Sequence, residues 1–171
     1  MSYKWIGAIL VVAGCGGFGF SMAAAHRREV GLLRQLHRGL IFMQNELKYR
    51  LTPLPELCRQ TGKEMGGVLR QVFFELAREL DSRTLPDPGD CMASAIQKSK
   101  EALPGSLRRL LTRLGRSLGR FDLSGQLRGL EALTAACEEE LSLLNKNKDI
   151  RLRNYQTLGL CAGAALAILF A

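Results

Sequence analysis

The side chains that most often perform catalysis or bind metals are few and scattered in this chain. The two histidines, His26 and His37, lie 11 residues apart, with no acid or cysteine beside them as a motif. The five cysteines show no CxxC or other zinc spacing; they are Cys15, Cys58, Cys91, Cys137 and Cys161. A phosphate-binding loop, a dinucleotide fingerprint and a nucleophile elbow are absent from the sequence. The sequence therefore predicts no enzyme and no cofactor or metal site.

Positive charge is the clearest chemical bias of the chain. The formal net charge is +8 and the sequence pI is about 9.6, which fits nucleic acid, anionic lipid or an acidic protein as a partner. Few aromatic residues fall within 26–154 and they do not alternate with the basic residues as a pattern, so no nucleic acid is expected. One predicted helix is rich in arginine, at Arg108, Arg109, Arg113, Arg116 and Arg120. Solubility accounts for much of this pattern, and a protein-docking face is the alternative.

The charged residues lie between two apolar ends. Residues 5–25 and 154–171 carry no charged side chain, and all 16 acids lie between them. The first segment has the length of about 20 residues that a membrane-spanning helix needs. The second, at 155–171, is at the lower limit and begins with polar residues. We therefore predict an N-terminal transmembrane anchor at 1–25, a helical domain at 26–154 and a probable transmembrane segment at 155–171.

The charges that flank these segments predict the orientation of the chain. Arg27, Arg28 and Arg34 follow the first segment, and four basic residues precede the second. By the positive-inside rule, residues 26–154 are cytoplasmic and both termini lie across the cell membrane. The stretch 12–15 (VAGC) also resembles a lipobox that would lipidate Cys15, and 23–25 (AAA) resembles a signal-peptidase site. Apolar sequence continues beyond Cys15, so a retained anchor is the preferred interpretation.

Small residues recur in both apolar segments. Ala13, Gly17 and Ser21 are spaced four apart in the first, and Gly159 and Gly163 form a GxxxG pattern in the second. Such spacing lets membrane helices approach closely. We expect these residues to pack membrane helices together, although glycine and alanine are also common in membrane helices generally.

Apolar residues in the middle domain recur at spacings of three and four, which predicts an all-α fold. The first helix carries one such seam, at Leu33, Leu36, Leu40, Met43 and Leu47. The predicted helices span about 26–50, 53–65, 68–82, 90–103 and 106–121, with a last one from 122, and a loop at 83–89. The first and last helices have no break before the apolar ends. The expected fold is a compact six-helix bundle flanked by an N-terminal transmembrane helix and a C-terminal hydrophobic helix.

Residues with special backbone preferences mark the helix boundaries. Pro53 disfavours helix at Thr52, so Thr52 is predicted to cap a new helix that has Pro53 at its first position. Asp90 is predicted to cap the fourth helix. Pro104 and Gly105 then separate the fourth helix from the fifth.

Three stretches together resemble one protein family. They are Glu46 to Leu54 with Glu56 following, Leu114 to Gly119, and Asp122 with Gln126. With the apolar ends and a length of 171 residues, the chain resembles stage III sporulation protein AB of endospore-forming bacteria. The residues carried over from this resemblance are Thr52, Pro53, Leu54, Glu56, Leu114, Gly115, Leu118, Gly119, Asp122 and Gln126. They either shape the bundle or dock a partner; Gly115 and Gly119 would let a helix approach closely, and Asp122 would begin the last helix.

The resemblance implies a function as well as a fold. It implies a non-enzymatic membrane scaffold of the mother-cell-to-forespore channel, with a domain similar to that of type II secretion and type IV pilus platform proteins. The implied partners are a secretion-type ATPase, other membrane subunits of the channel and membrane lipid, and a homo-oligomer is left open. The alternative is a membrane-anchored basic domain that binds anionic lipid or nucleic acid in a regulatory role.

Overall fold

The computed structural model contains six α-helices. It describes the backbone at residues 2–82, 85, 87–99, 101–119 and 122–170, and the side-chain surroundings at 24–82, 85, 87–99, 101–119 and 122–146. Over the described residues there is no strand, which confirms the all-α prediction and the number of helices. The helices are α1 Ser2–Arg50, α2 Leu54–Glu64, α3 Gly67–Ser82, α4 Pro88–Gln97, α5 Gly105–Ser117 and α6 Leu123–Phe170.

Among the residues whose side-chain surroundings are described, no helix is both long and apolar enough to cross a membrane.

The predicted membrane segments fall almost entirely where side chains are not described. Residues 5–23 and 155–171 lie outside the described side chains, as do the small residues assigned to membrane packing, Ala13, Gly17, Ser21, Gly159 and Gly163. The three-part division of the chain and its membrane topology therefore stay predictions.

The predicted seam of α1 forms the centre of the core. All five of its residues are buried; they are Leu33, Leu36, Leu40, Met43 and Leu47. Helix α6 packs antiparallel beside α1: the Cys137 thiol donates to the Leu33 carbonyl at 3.3 Å, and the Gln44 amide donates to the Thr134 hydroxyl at 2.8 Å. Burial of this seam removes apolar surface from water, which is the main source of bundle stability.

The other helices close the core through a chain of neighbour contacts. Helix α2 packs on α3, α4 packs on both α3 and α5, and α5 packs on α6. A nearly buried carboxylate, Glu79 on α3, accepts a hydrogen bond from the Ser94 hydroxyl at 3.1 Å and pairs with Lys98 beyond α4. These contacts with Lys98 and Ser94 hold the pKa of Glu79 below its ordinary value.

The cysteines of the described domain are small core side chains. Cys58, Cys91 and Cys137 are buried and free. Burial raises the pKa of Cys58 to about 12 and that of Cys137 to about 11. Since only the thiolate is an effective nucleophile and ligand, these thiols are chemically inert near neutral pH.

Two helices are shorter than predicted. Helix α4 ends at Gln97 rather than near 103, where the Ser99 N–H donates to the Ile96 carbonyl three residues back, at 3.2 Å, instead of four residues back. Helix α5 ends at Ser117 rather than near 121, because Leu118 is extended and Gly119 has a φ of +73°. The fourth helix also begins earlier, at Pro88, so Asp90 lies inside its first turn and does not cap it.

Candidate docking surface

The turn after α1 is held in an unusual backbone conformation. Leu51 has a φ of +52°, in the left-handed region that favours glycine. A non-glycine residue there costs about 1–3 kcal/mol. The turn is fixed by the buried carboxylate of Glu46, which accepts a hydrogen bond from the Thr52 hydroxyl at 3.1 Å and pairs with Arg50 at 3.3 Å. Leu51 is thus held by its neighbours in a conformation that it would not adopt alone.

Thr52 does not have the role predicted for it. Its hydroxyl donates to Glu46 and makes no capping bond, and Pro53 occupies the N-cap position of α2. The prediction was wrong because a buried carboxylate six residues back offers Thr52 a stronger, charged acceptor. The Pro53 carbonyl still accepts the first bond of the helix, from Leu57 N–H at 2.8 Å. Pro53 therefore starts α2 without a side-chain cap.

Glu56 ties the start of α2 to its neighbours. It accepts hydrogen bonds from Arg59 at 2.7 Å and from Gln60 at 3.1 Å, and these lower its pKa. Arg59 also pairs with Asp81 near the end of α3. The residue therefore belongs to a surface ion-pair network that joins α2 to α3.

The second family motif lies at the contact between α4 and α5. A Cβ placed on Gly115 would lie 2.5 Å from the Met92 Cβ and 3.3 Å from the Gly89 Cα. The close approach predicted for Gly115 is therefore confirmed. Leu114 and Leu118 beside it are buried in the core.

Gly119 also allows the close approach predicted for it, although it lies outside α5 and has a second role in the turn. It lies beyond the end of α5 and turns the chain through its positive φ. A Cβ there would lie 2.9 Å from Pro88 and 3.8 Å from Leu54. The turn after α5, the start of α4 and the start of α2 therefore meet at one end of the bundle.

The third motif starts α6 as predicted. The Asp122 carboxylate accepts a hydrogen bond from the Gly125 N–H at 3.1 Å and another from the Ser124 hydroxyl at 2.6 Å. These two bonds lower the pKa of Asp122. Its carbonyl accepts the first helical bond, from the Gln126 N–H at 2.9 Å. Asp122 is thus a true N-cap of α6.

The end of the bundle where these motifs meet also exposes large apolar side chains. We call it the tip and define it by Tyr49, Leu51 and Leu123, which are 74%, 66% and 41% exposed. The ammonium of Lys48 lies 5.4 Å from the centre of the Tyr49 ring. Because α1 ends here and α6 begins here, the tip lies at the opposite end of the bundle from the apolar termini.

Tyr49 and Leu51 fall inside the first family motif but were not among the residues selected from it. The sequence pattern that identifies these two residues is the row of buried residues along α1. That seam ends at Leu47, so Tyr49 and the residues after it lie off the buried face. Apolar residues just beyond the end of a seam are candidates for recognition rather than packing.

The clefts in the described part of the bundle do not resemble a catalytic site. One is an open cleft of about 420 Å³ between α4 and α5. Its ionisable side chains are Glu101 and Arg108, and Glu101 is paired with Arg28 on α1. No group of three or more potential metal ligands occurs among the residues searched.

The sequence also matches the family model described as stage III sporulation protein AB, over residues 4–171. The chain belongs to the stage III sporulation protein AB family. Its relative in Bacillus subtilis (strain 168), named stage III sporulation protein AB, is 23% identical over 172 residues, covering 97% of this chain and 98% of the relative. Family membership assigns the chain to sporulation.

A solved structure shows that the fold is shared as well. The structure of stage III sporulation protein AB (SpoIIIAB) matches with a TM-score of 0.64 at 20% sequence identity. The match covers 72% of this chain and 98% of that one. The family's description names a sporulation protein and no reaction.

Proposed function

We propose that the chain is a non-enzymatic membrane scaffold of the mother-cell-to-forespore channel, and that its tip docks the secretion-type ATPase of that channel. Family membership supports the sporulation role. The observation that carries the docking role is the tip itself, where the family motif holds Leu51 strained and exposed beside Tyr49.

The tip has the features of a recognition surface. Exposed large apolar side chains grouped at one place on a soluble domain often mark a protein interface. Tyrosine is among the residues that contribute most to binding at such interfaces. The buried Glu46 carboxylate holds Leu51 in a backbone conformation that costs free energy. Leu51 is therefore already fixed in the free protein, which reduces the conformational entropy lost when a partner binds.

The position of the tip suits a cytoplasmic ATPase. If residues 5–25 and 155–171 enter the membrane as predicted, the tip is the part of the bundle farthest from it. At about 1.5 Å per residue, the helix from His26 to Arg50 places the tip about 36 Å away. A large soluble ATPase can reach that end without approaching the lipid.

The apolar ends would make the remaining contacts of the scaffold. The small residues Ala13, Gly17 and Ser21 and the pair Gly159 and Gly163 suit close packing with other membrane subunits of the channel. In this proposal, residues 26–154 lie in the mother-cell cytoplasm and the channel rings are organised in the surrounding membrane.

The docking proposal is tested by capture of the purified secretion-type ATPase of the channel on the full-length chain in detergent. The double variant Tyr49→Ser, Leu51→Ser should lose at least about tenfold in affinity, because both apolar contacts disappear. Leu143→Ser is the matched control, since Leu143 is 48% exposed but lies midway along α6. Equal capture by the double variant and wild type would refute the docking role.

Salt dependence separates this function from the regulatory alternative. Apolar docking at the tip should change little between low and moderate salt. Binding of nucleic acid or anionic vesicles by the basic domain would instead fall steeply over that range. A steep fall in ATPase capture would favour an electrostatic site elsewhere on the domain.

A further inference from the structure

The outer face of α1 carries a basic stripe. Arg34, Arg38 and Lys48 are exposed there, and Ile41 lies between them with 39% of its surface exposed. Their spacing of four, three and seven residues places them on one side of a helix. For Arg34 and Arg38, the structure records no ion pair with a described residue. This side of α1 therefore has charge and apolar surface that the bundle does not use.

The neighbouring face of α6 carries the opposite charge over residues 131–138, with the exposed Arg128 about one turn before it. Glu131, Ala135 and Glu138 are exposed, again at spacings of four and three. Glu138 lies on the side towards α1, because its carboxylate is 2.9 Å from the His37 Nε2. On α6, the acidic residues therefore flank the small Ala135 on both sides along the helix. On α1, the basic residues flank the apolar Ile41 in the same way.

The contacts between the two helices fix their relative height. Cys137 meets Leu33, Glu138 meets His37 and Thr134 meets Gln44. Because the two helices run antiparallel with the same rise of about 1.5 Å per residue, residue numbers increase along one helix as they decrease along the other. A residue of α1 and a residue of α6 therefore lie at the same height along the bundle when their numbers sum to about 175.

The same register brings matching groups to similar levels. Glu138 lies level with Arg38, and Ala135 lies level with Ile41. Arg34 lies within about one helical turn of the level of Glu138, and Lys48 within about one turn of the level of Glu131.

We propose that a second copy of this chain packs on the α1–α6 face, about a two-fold axis parallel to the two helices. Such an axis places α1 of one copy opposite α6 of the other at the same level. Arg34 and Arg38 then face Glu138 of the second copy, and Lys48 faces Glu131 of the second copy. Ile41 packs against Ala135 at the centre, where a small residue leaves room for it.

Two features favour a second copy over other occupants of this face. The face is self-complementary in charge, whereas a lipid or nucleic-acid surface would be met best by basic residues alone. The two-fold axis also keeps both copies pointing the same way, so that the apolar ends of both lie on one side and both tips on the other. The tips remain free, so this contact does not depend on the ATPase docking proposed above.

Charge reversal tests the pairing on the full-length chain in detergent, by sedimentation analysis. Arg38→Glu alone and Glu138→Arg alone should each weaken self-association at least about tenfold through like-charge contacts. An equimolar mixture of the two variants should recover association, because each would supply the charge that the other lacks. Monomeric wild type at every concentration, or variants that associate as well as wild type, would overturn the proposal.

Disulfide crosslinking tests the geometry independently of affinity. Two differently tagged copies carry Ile41→Cys and Ala135→Cys respectively, in a background in which Cys15 and Cys161 are replaced by alanine. Oxidation of membranes that contain both should join the two tags. The control pairs Ile41→Cys with Ala93→Cys, which is exposed on α4. Crosslinking of the control pair to the same extent, or of neither pair, would overturn the two-fold arrangement.

Discussion

The contact between α4 and α5 and the turn after α1 each contain a residue of a family motif, but the two regions treat apolar surface in opposite ways. At the first, Gly115 removes a side chain so that Met92 can pack against the helix backbone. At the second, Leu51 keeps a large side chain in a conformation suited to glycine and exposes it to solvent.

The difference shows that residues of the family motifs need not all have the same role. Gly115 satisfies a packing requirement, and the bundle gains stability from it. Leu51 costs stability, and its exposed side chain buries little apolar surface within the bundle in return. The strained and exposed Leu51 is explained if binding of a partner protein supplies the free energy that the bundle does not gain from it. The buried Gly115 is explained by packing within the bundle alone.

The largest expected effect is at Gly115. Gly115→Ala should destabilise the chain by about 2 kcal/mol, because the new Cβ would overlap Met92 and force α4 away from α5. Gly31→Ala is the matched control: nothing lies within 4 Å of that position, and alanine should stabilise the helix by about 1 kcal/mol. Urea unfolding measures both, and equal effects at the two glycines would contradict the packing role.

An effect of opposite sign is expected at the turn. Leu51→Gly should stabilise the chain by about 1 kcal/mol, since relief of the positive φ outweighs the added freedom of the unfolded chain. Leu143→Gly, in the regular part of α6, should destabilise by about 1 kcal/mol instead. If Leu51→Gly is as damaging as Leu143→Gly, the turn is not strained.

A smaller effect, dependent on pH, is expected at the start of α6. Asp122→Ala should lower the Tm at neutral pH, while Asp122→Asn, which keeps a capping oxygen, should lower it less. The folded state depresses the pKa of Asp122 below 3.8, so its stabilisation is present above that value and lost as the pH falls below it. The Tm difference between wild type and Asp122→Ala should therefore shrink in acid, with ATPase capture unchanged at neutral pH. Lost capture in Asp122→Ala would move this residue to the docking surface.

The parts of the fold that follow from local pattern were predicted correctly. The buried seam from Leu33 to Leu47 follows from the 3.6-residue period of an α-helix. The capping role of Asp122 depends only on backbone within three residues of it. The errors came from contacts distant in sequence or from competing local bonds. The Thr52 hydroxyl bonds to the buried Glu46 carboxylate instead of capping α2. Helix α5 ends just before Gly119, whose positive φ turns the chain next to Pro88. The strain at Leu51 could not be read from its residue type, because leucine gives no sign of a left-handed backbone.

The most direct test of the docking tip is site-specific photo-crosslinking in the organism that encodes the chain, during sporulation. A benzoylphenylalanine in place of Leu51 should crosslink to the channel ATPase, because the side chain points out of the bundle at the docking surface. The same group in place of Leu143, midway along α6, should not. Crosslinking of the ATPase from position 143 but not from position 51 would contradict the assignment of the tip as its docking surface.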